Sequence, residues 1–446
     1  MKKILRSSIY TALAAAILFS FFLSVTFVFM RGDTFRPWSW QRRTVWFSKR
    51  IVAETAGLAV KIRDPWEDRR VTAETGPAVC PAGLPDIEPI ETADSLRAFL
   101  CKSGYGDSVI TVSFRNGELP GSRYEFHYQT SAEPLLDSLR SLYRLDTLAL
   151  GQVNDFETLR RLNTWVHRVF QSPHTISSPV PEVDFNFNAL DVLHRTLNGE
   201  KFWCSEYSTS LVQCLSALGF TGRYVMLNSD TGGHVAVEAW CNSLNKWIML
   251  DPFFGLVVLL DGNVLNALEI HDLLLDSSAE KRAVIELKDG ARKVEKDFYL
   301  SLYRDLAVRM RNDWFTNRYP RWHPLSTSVM NAVEWSDSLS RDNVMFKHST
   351  SRADDLYWPL NQVRLSLYTL KDNSFLVVMR TFTPDFSNFL IELGSQPPVY
   401  SQSVSFVWSL HNGENSVQVQ SVNSRGVTGS PSRIVICLNK SASAGE

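Results

Sequence analysis

The 446-residue chain lacks a net charge worth the name: 46 basic and 47 acidic residues leave a formal −1. Nothing therefore points to a polyanion partner such as nucleic acid. It lacks any C-x-x-C pair. Its six cysteines, Cys80, Cys101, Cys204, Cys214, Cys241 and Cys437, show no His/Cys ligand spacing, which argues against a structural zinc site. It also lacks a calcium-loop pattern and any tandem repeat. What remains is ordinary globular material, 44% hydrophobic and 21% charged, with length for two or three domains. The 13 Trp and 26 Phe are numerous, and core packing accounts for most of them.

The N-terminus is the clearest sign of class. Lys2, Lys3 and Arg6 precede a nearly uncharged stretch from Ile9 to Met30. About 20 apolar residues span a bilayer, and a cleaved signal core is shorter. No small-x-small cleavage site follows Met30, so the sequence favours an uncleaved single-pass anchor. Basic residues also follow the stretch, among them Arg31, Arg36, Arg42 and Arg43, which blunts the orientation argument. The export-like start places the body outside the cytoplasm, and Trp38, Trp40 and Trp46 suit an interfacial belt.

Proline-rich sequence over 76–91 reads as a linker. Residues 107–129 read as a hairpin turning at Asn116-Gly117. Helical runs follow at 133–148 and from Asn154 or Asp155, with Leu159, Leu162, Trp165, Val166 and Phe170 on one stripe. A short helix ends at Asn198-Gly199. The run from Cys204 to Leu218 is helical and stops at Gly219. Strand-like runs come next at 223–227, 234–240 and 246–252. Residues from about 260 to 350 read as helical again, most strongly from Glu295 to Phe315. From about 356 six short, evenly spaced strand runs read as a β-sandwich.

The chemistry concentrates in 204–251. A cysteine at a helix start meets unpaired N–H groups and the positive end of the helix dipole, which favour a thiolate and can stabilise an oxyanion. A nucleophilic thiol needs a His as base, and that His needs a carboxylate to fix its tautomer. A hairpin centred on Asn242–Ser243 pairs residues whose numbers sum to about 485, so His234 faces Asp251. A one-residue slip would separate them. Other readings stay open: Cys204 as a packed thiol or as a disulfide partner of Cys214 or Cys241, and Glu238, on the same face as His234, as a salt-bridged residue. A Cys80–Cys101 disulfide is a further candidate. The sequence also places Phe202 and Trp203 where they could line or narrow a cleft at Cys204.

These residues in this order resemble the transglutaminase-like superfamily, whose core is a papain-like α+β unit. The matching pieces are the helix opening at Cys204, the bend "ALGFTGRYV", the strand opening "GGHVAVEAW" and "WIMLDP". The resemblance covers roughly 151–260 and implies Cys204 as nucleophile, His234 as base and Asp251 as the orienting acid. It departs from many relatives in lacking a Gly just before the Cys ("GEKFWCS"). The C-terminal region resembles an immunoglobulin or fibronectin type III-like sandwich, a fold that implies no activity. The expected organisation is α+β: a transmembrane anchor at 1–31, a membrane-proximal α/β region at 32–150, a transglutaminase-like core at 151–275, a helical extension at 276–355 and a β-sandwich at 356–440. The resemblance implies a thiol enzyme acting on amide bonds of proteins or peptides, with no metal or organic cofactor. Hydrolysis ranks above cross-linking, and an inactive scaffold for binding or assembly is the alternative.

Overall fold

Helix caps and strand alternation set most of the element boundaries. The computed structural model describes residues 88–438 apart from 106–108, 120, 153, 172–187, 230–231, 288–291, 314–331, 341–347 and 372. All of these belong to one of two units of the chain, Val71–Asp342 with Phe346–Glu446. The stretch from Ile9 to Met30, Trp38, Trp40, Trp46 and Cys80 lie outside the described residues. Among the described residues no helix is long and apolar enough to cross a membrane.

The architecture is mixed α+β with several sheets. Its centre is a six-stranded sheet in the order 348–350, 332–335, 305–309, 222–229, 232–241, 246–250. The pairings are antiparallel except that between 332–335 and 348–350. Strand side chains alternate between faces, so each face has its own core. On one face Tyr224, Val237, Ala239, Ile248 and Leu250 pack against the helices Pro134–Leu142, Asp155–Phe170, Ala189–Leu197 and Cys204–Ala217. On the other, Val225, Leu227, Ala236, Trp240, Trp247 and Met249 pack against Tyr299, Leu300, Tyr303 and Trp358.

Caps explain the helix limits. The Asn154 side chain accepts from the Glu157 N–H at 3.1 Å, which makes Asn154 rather than Asp155 the cap. Asn188 caps the Ala189–Leu197 helix in the same way. The Cys204 helix ends at Ala217, and Gly219 takes φ +86° just past its end.

Two readings of the sequence are corrected. Residues 107–129 form no hairpin. The strand Val109–Arg115 pairs with the last strand, Ser432–Leu438, and His127–Tyr128 pairs in parallel with Arg311–Asn312. Asn116-Gly117 instead docks on the chain near Val363. The Asn116 amide donates to the carbonyls of Glu91 and Leu365, and a Cβ on Gly117 would lie 2.4 Å from the Val363 oxygen. Glycine is there for close backbone approach, not for a turn. The expected helical extension at 276–355 is a mixture of short helices and strands. Its strongest segment is helical only over Lys296–Ser301 and a 3-10 turn at Leu302–Arg304, and Asp305–Arg309 becomes an inner strand of the central sheet, buried at every position. A strand covered on both faces gives an unbroken apolar run, which periodicity cannot separate from a buried helix.

The six C-terminal strand runs form strands, and they divide between two sheets. One has the order 109–115, 432–438, 413–423, 386–393, 399–401; the other has 363–369, 374–381, 405–409. Both face a shared core that includes Val112, Ile434, Val417, Leu365, Val377 and Trp408. The sandwich thus takes one strand from early in the chain.

Glu238 lies directly opposite Arg223, and both are fully buried. Arg223 donates twice to Glu238 Oε2, at 2.9 and 2.6 Å, and its guanidinium sits 3.9 Å from the Trp247 ring centre. Glu238 is therefore a structural ion-pair partner despite sharing its strand face with His234. Glu238→Ala leaves a buried guanidinium unpaired and is expected to cost about 3–5 kcal/mol, read from denaturant unfolding.

Candidate functional site

Cys204 is the first residue of its helix, preceded by Trp203 in an extended conformation. Glu206 accepts from the Trp203 backbone N–H at 3.2 Å and from the Ser205 hydroxyl at 2.8 Å. This box ties down the chain before the helix and leaves the Cys204 N–H outside the intrahelical ladder. One turn on, the Ser208 hydroxyl donates to the Val235 carbonyl at 3.0 Å. That bond fixes the start of the helix against the start of the strand that carries His234.

The hairpin brings His234 and Asp251 together in a register two residues from the expected one. Observed partners sum to 487, as in Val237 with Leu250 and Cys241 with Lys246. The loop is Asn242–Asn245, closed by a bond from the Asn245 N–H to the Asn242 carbonyl at 3.2 Å, with Asn245 at φ +55°. A two-residue shift preserves the side-chain face, where a one-residue shift would reverse it. His234 and Asp251 are thus diagonal neighbours on one face, and His234 Nε2 donates to Asp251 Oδ2 at 2.7 Å. The Cys204 side chain is near enough to the imidazole to help raise its pKa. With Nε2 committed to Asp251, Nδ1 is the nitrogen left for sulfur.

Burial alone would favour neutral imidazole. The charge and hydrogen bond of Asp251, with a smaller contribution from Cys204, outweigh it and raise the His234 pKa to about 10. The folded protein therefore keeps a proton that the unfolded chain releases near 6.5. This linkage stabilises the fold fully below that pH and is lost as pH rises towards 10. In denaturant titrations the stability advantage of wild type over His234→Gln is expected to shrink steadily between pH 6.5 and 10.

Asp251 is fully buried and its carboxylate accepts four hydrogen bonds. Oδ2 takes His234 Nε2 and the Tyr299 hydroxyl at 2.9 Å; Oδ1 takes the N–H groups of Phe253 and Phe254, both at 3.0 Å. The Tyr299 hydroxyl lies 2.9 Å from that of Tyr303. Burial and the neighbouring charge of Asp251 hold the Tyr299 pKa well above its usual value, so it stays a proton donor. The turn after Asp251 is held from the helical side. His167 Nδ1 lies 3.0 Å from the Pro252 carbonyl and Asn163 donates to the Leu256 carbonyl at 3.3 Å. Gly255 has φ +73°, and a Cβ there would come within 2.8 Å of the His167 ring. Gly255→Ala combines backbone strain with a ring clash. It is expected to cost at least about 2 kcal/mol and to disturb His234 indirectly, measured as a lowered melting temperature.

Cys204 is partly exposed, whereas Cys214 and Cys241 are buried, and all three are free thiols. Cys214 lies ten residues further along the same helix, about 15 Å away, too far for a disulfide to Cys204. Burial pushes the Cys214 thiol far up. Phe202 turns away to the Phe170 ring at 6.1 Å and beneath Arg195 at 5.2 Å, and Trp203 is 59% exposed. Phe253 and Phe254 pack on the His234 ring at 5.8 and 5.3 Å.

The structure thus brings Cys204, His234 and Asp251 together. Ser208, Tyr299, His167 and Asn163 complete the arrangement without having been singled out from sequence. Each acts through one hydrogen bond across a long sequence separation, which no local pattern encodes. Among the described residues no cluster of His, Cys, Asp and Glu is arranged to hold a metal ion. No protein-family model matches the chain, and no curated protein matches it significantly.

Proposed function

We propose that the protein is a membrane-anchored, extracytoplasmic thiol enzyme of the transglutaminase-like kind, acting on amide bonds of proteins or peptides. The observation that carries this reading is one imidazole hydrogen-bonded to a buried carboxylate and lying near a partly exposed cysteine at a helix start. The imidazole is placed to take the thiol proton and so make the sulfur a nucleophile. The thiolate attacks the amide carbonyl carbon, and the oxyanion forms beside the Cys204 N–H. The imidazolium delivers its proton to the amide nitrogen, the C–N bond breaks and the amine leaves, so that Cys204 carries a thioester. Water, deprotonated by the now neutral imidazole, attacks that thioester and releases acid and thiol. An amine in place of water gives cross-linking, and hydrolysis ranks first because it requires only water access. Asp251 holds the ring throughout, and Tyr299 holds Asp251.

The apolar stretch from Ile9 to Met30 supports the anchor and the envelope setting of the substrates. The test is alkylation by iodoacetamide at mildly acidic pH, with the modified residue mapped, in wild type and His234→Ala. Selective modification of Cys204 that depends on His234 is expected. A rate no faster than that of an ordinary exposed thiol, equal in both proteins, rejects the enzyme and leaves a binding scaffold.

A further inference from the structure

We infer that Arg292 receives a carboxylate of the acyl donor, so that the enzyme prefers amides with a negative charge close to the scissile bond. The inference rests on Cys204 being the reactive thiol. The Arg292 guanidinium lies 4.0 Å from the centre of the Phe253 ring, and the His234 ring packs on the same phenyl group at 5.8 Å. It also reaches Tyr207, which sits one helical turn beyond Cys204 on the same side of that helix. The cation is therefore a neighbour of the proposed centre, separated from the imidazole by a single ring.

The arginine is held in place without being neutralised. Its backbone N–H donates to the Phe254 carbonyl at 3.1 Å, in the turn that follows Asp251. Its Nη2 donates to the Tyr207 hydroxyl at 2.9 Å. With the Gln171 amide oriented by its surroundings, the amide oxygen accepts from Nε and Nη2 at 2.8 Å each. All these partners are uncharged. Among the described residues the guanidinium has no carboxylate, and Nη1 has no acceptor. A planar cation braced by aromatic rings and neutral acceptors, with two N–H groups to spare, suits an incoming carboxylate. Tyr207 is itself nearly buried and stacks on Phe170 at 3.9 Å, so the support is rigid. The same requirement explains why a half-buried arginine stands here and not an apolar residue that would pack better on Phe253.

The test compares iodoacetate with iodoacetamide on the full chain at low ionic strength. In both reagents the Cys204 sulfur displaces iodide, and they differ in carrying a carboxylate or a neutral amide. The ratio of their rates at Cys204 is the readout, with the neutral reagent as internal standard. Arg292→Met keeps packing on Phe253 and is expected to lower the ratio roughly five- to tenfold. Arg292→Lys retains most of it. Arg292→Gln serves in the same way where the Met variant does not fold. A ratio in Arg292→Met or Arg292→Gln equal to that of wild type overturns the inference. Failure of the thiol reading shows separately, as iodoacetamide rates that do not respond to His234→Ala.

Discussion

Cys204→Ser is expected to abolish turnover, by about 10⁴-fold or more, while leaving the fold and its melting temperature nearly unchanged. The substitution exchanges sulfur for oxygen at a partly exposed position near His234. Nothing in either core depends on it, because the Cys204 side chain belongs to none of the buried clusters. A serine hydroxyl ionises far less readily than a thiol, so a neighbouring imidazolium cannot turn it into a nucleophile. Product release from an amide substrate measures the loss. The scaffold reading predicts the reverse: Cys204→Ser would bind its partner and perform as wild type does.

Asp251→Ala is expected to damage both stability and chemistry. Removing the carboxylate takes the acceptor from the N–H groups of Phe253 and Phe254 and from the His234 ring, and leaves the Tyr299 hydroxyl with Tyr303 as its remaining oxygen partner. Each buried unsatisfied group costs about 1–3 kcal/mol, and partial relaxation brings the total to roughly 3–5 kcal/mol. Asp251→Asn separates the two effects. It keeps the volume and one acceptor, so the fold survives better, but the ring is no longer held in its tautomer, and kcat is expected to fall about 10³–10⁴-fold. The raised pKa of His234 should collapse in both variants, because the Asp251 charge is the largest effect raising it against burial. Histidine NMR titration reports that directly. Tyr299→Phe removes only one of the four bonds to Asp251 and belongs in the same series as a mild member.

The elements that carry the site were legible in the sequence because local chemistry specifies them. Asn154, Asn188 and Gly219 mark helix ends by caps whose bonds span two or three residues. The His234 and Asp251 strands announce themselves by alternation and by the polar loop between them. Their register lies two residues from the one the spacing predicts, since the loop has four residues with Asn245 left-handed, yet the shared face is kept because side-chain direction repeats every second residue. Where long-range pairing decides, sequence reading stopped. Asn116-Gly117 has the composition of a turn and is used for docking on Val363. Asp305–Arg309 has the composition of a helix and is used as a doubly covered strand. Arg292, Tyr299 and Ser208 acquire their significance from rings and carboxylates brought in by the fold, and no spacing predicts them.

The central claim is that Cys204 forms a thioester with the acyl part of an amide. Intact-mass analysis of the full chain, acid-quenched during incubation with a pool of acidic and neutral peptides, tests it directly. The account predicts a mass increase equal to the amide substrate less the departed amine, mapped to Cys204, stronger with the acidic peptides and missing in His234→Ala. A chain that stays unmodified with both pools, while its Cys204 still accepts iodoacetamide, would contradict it.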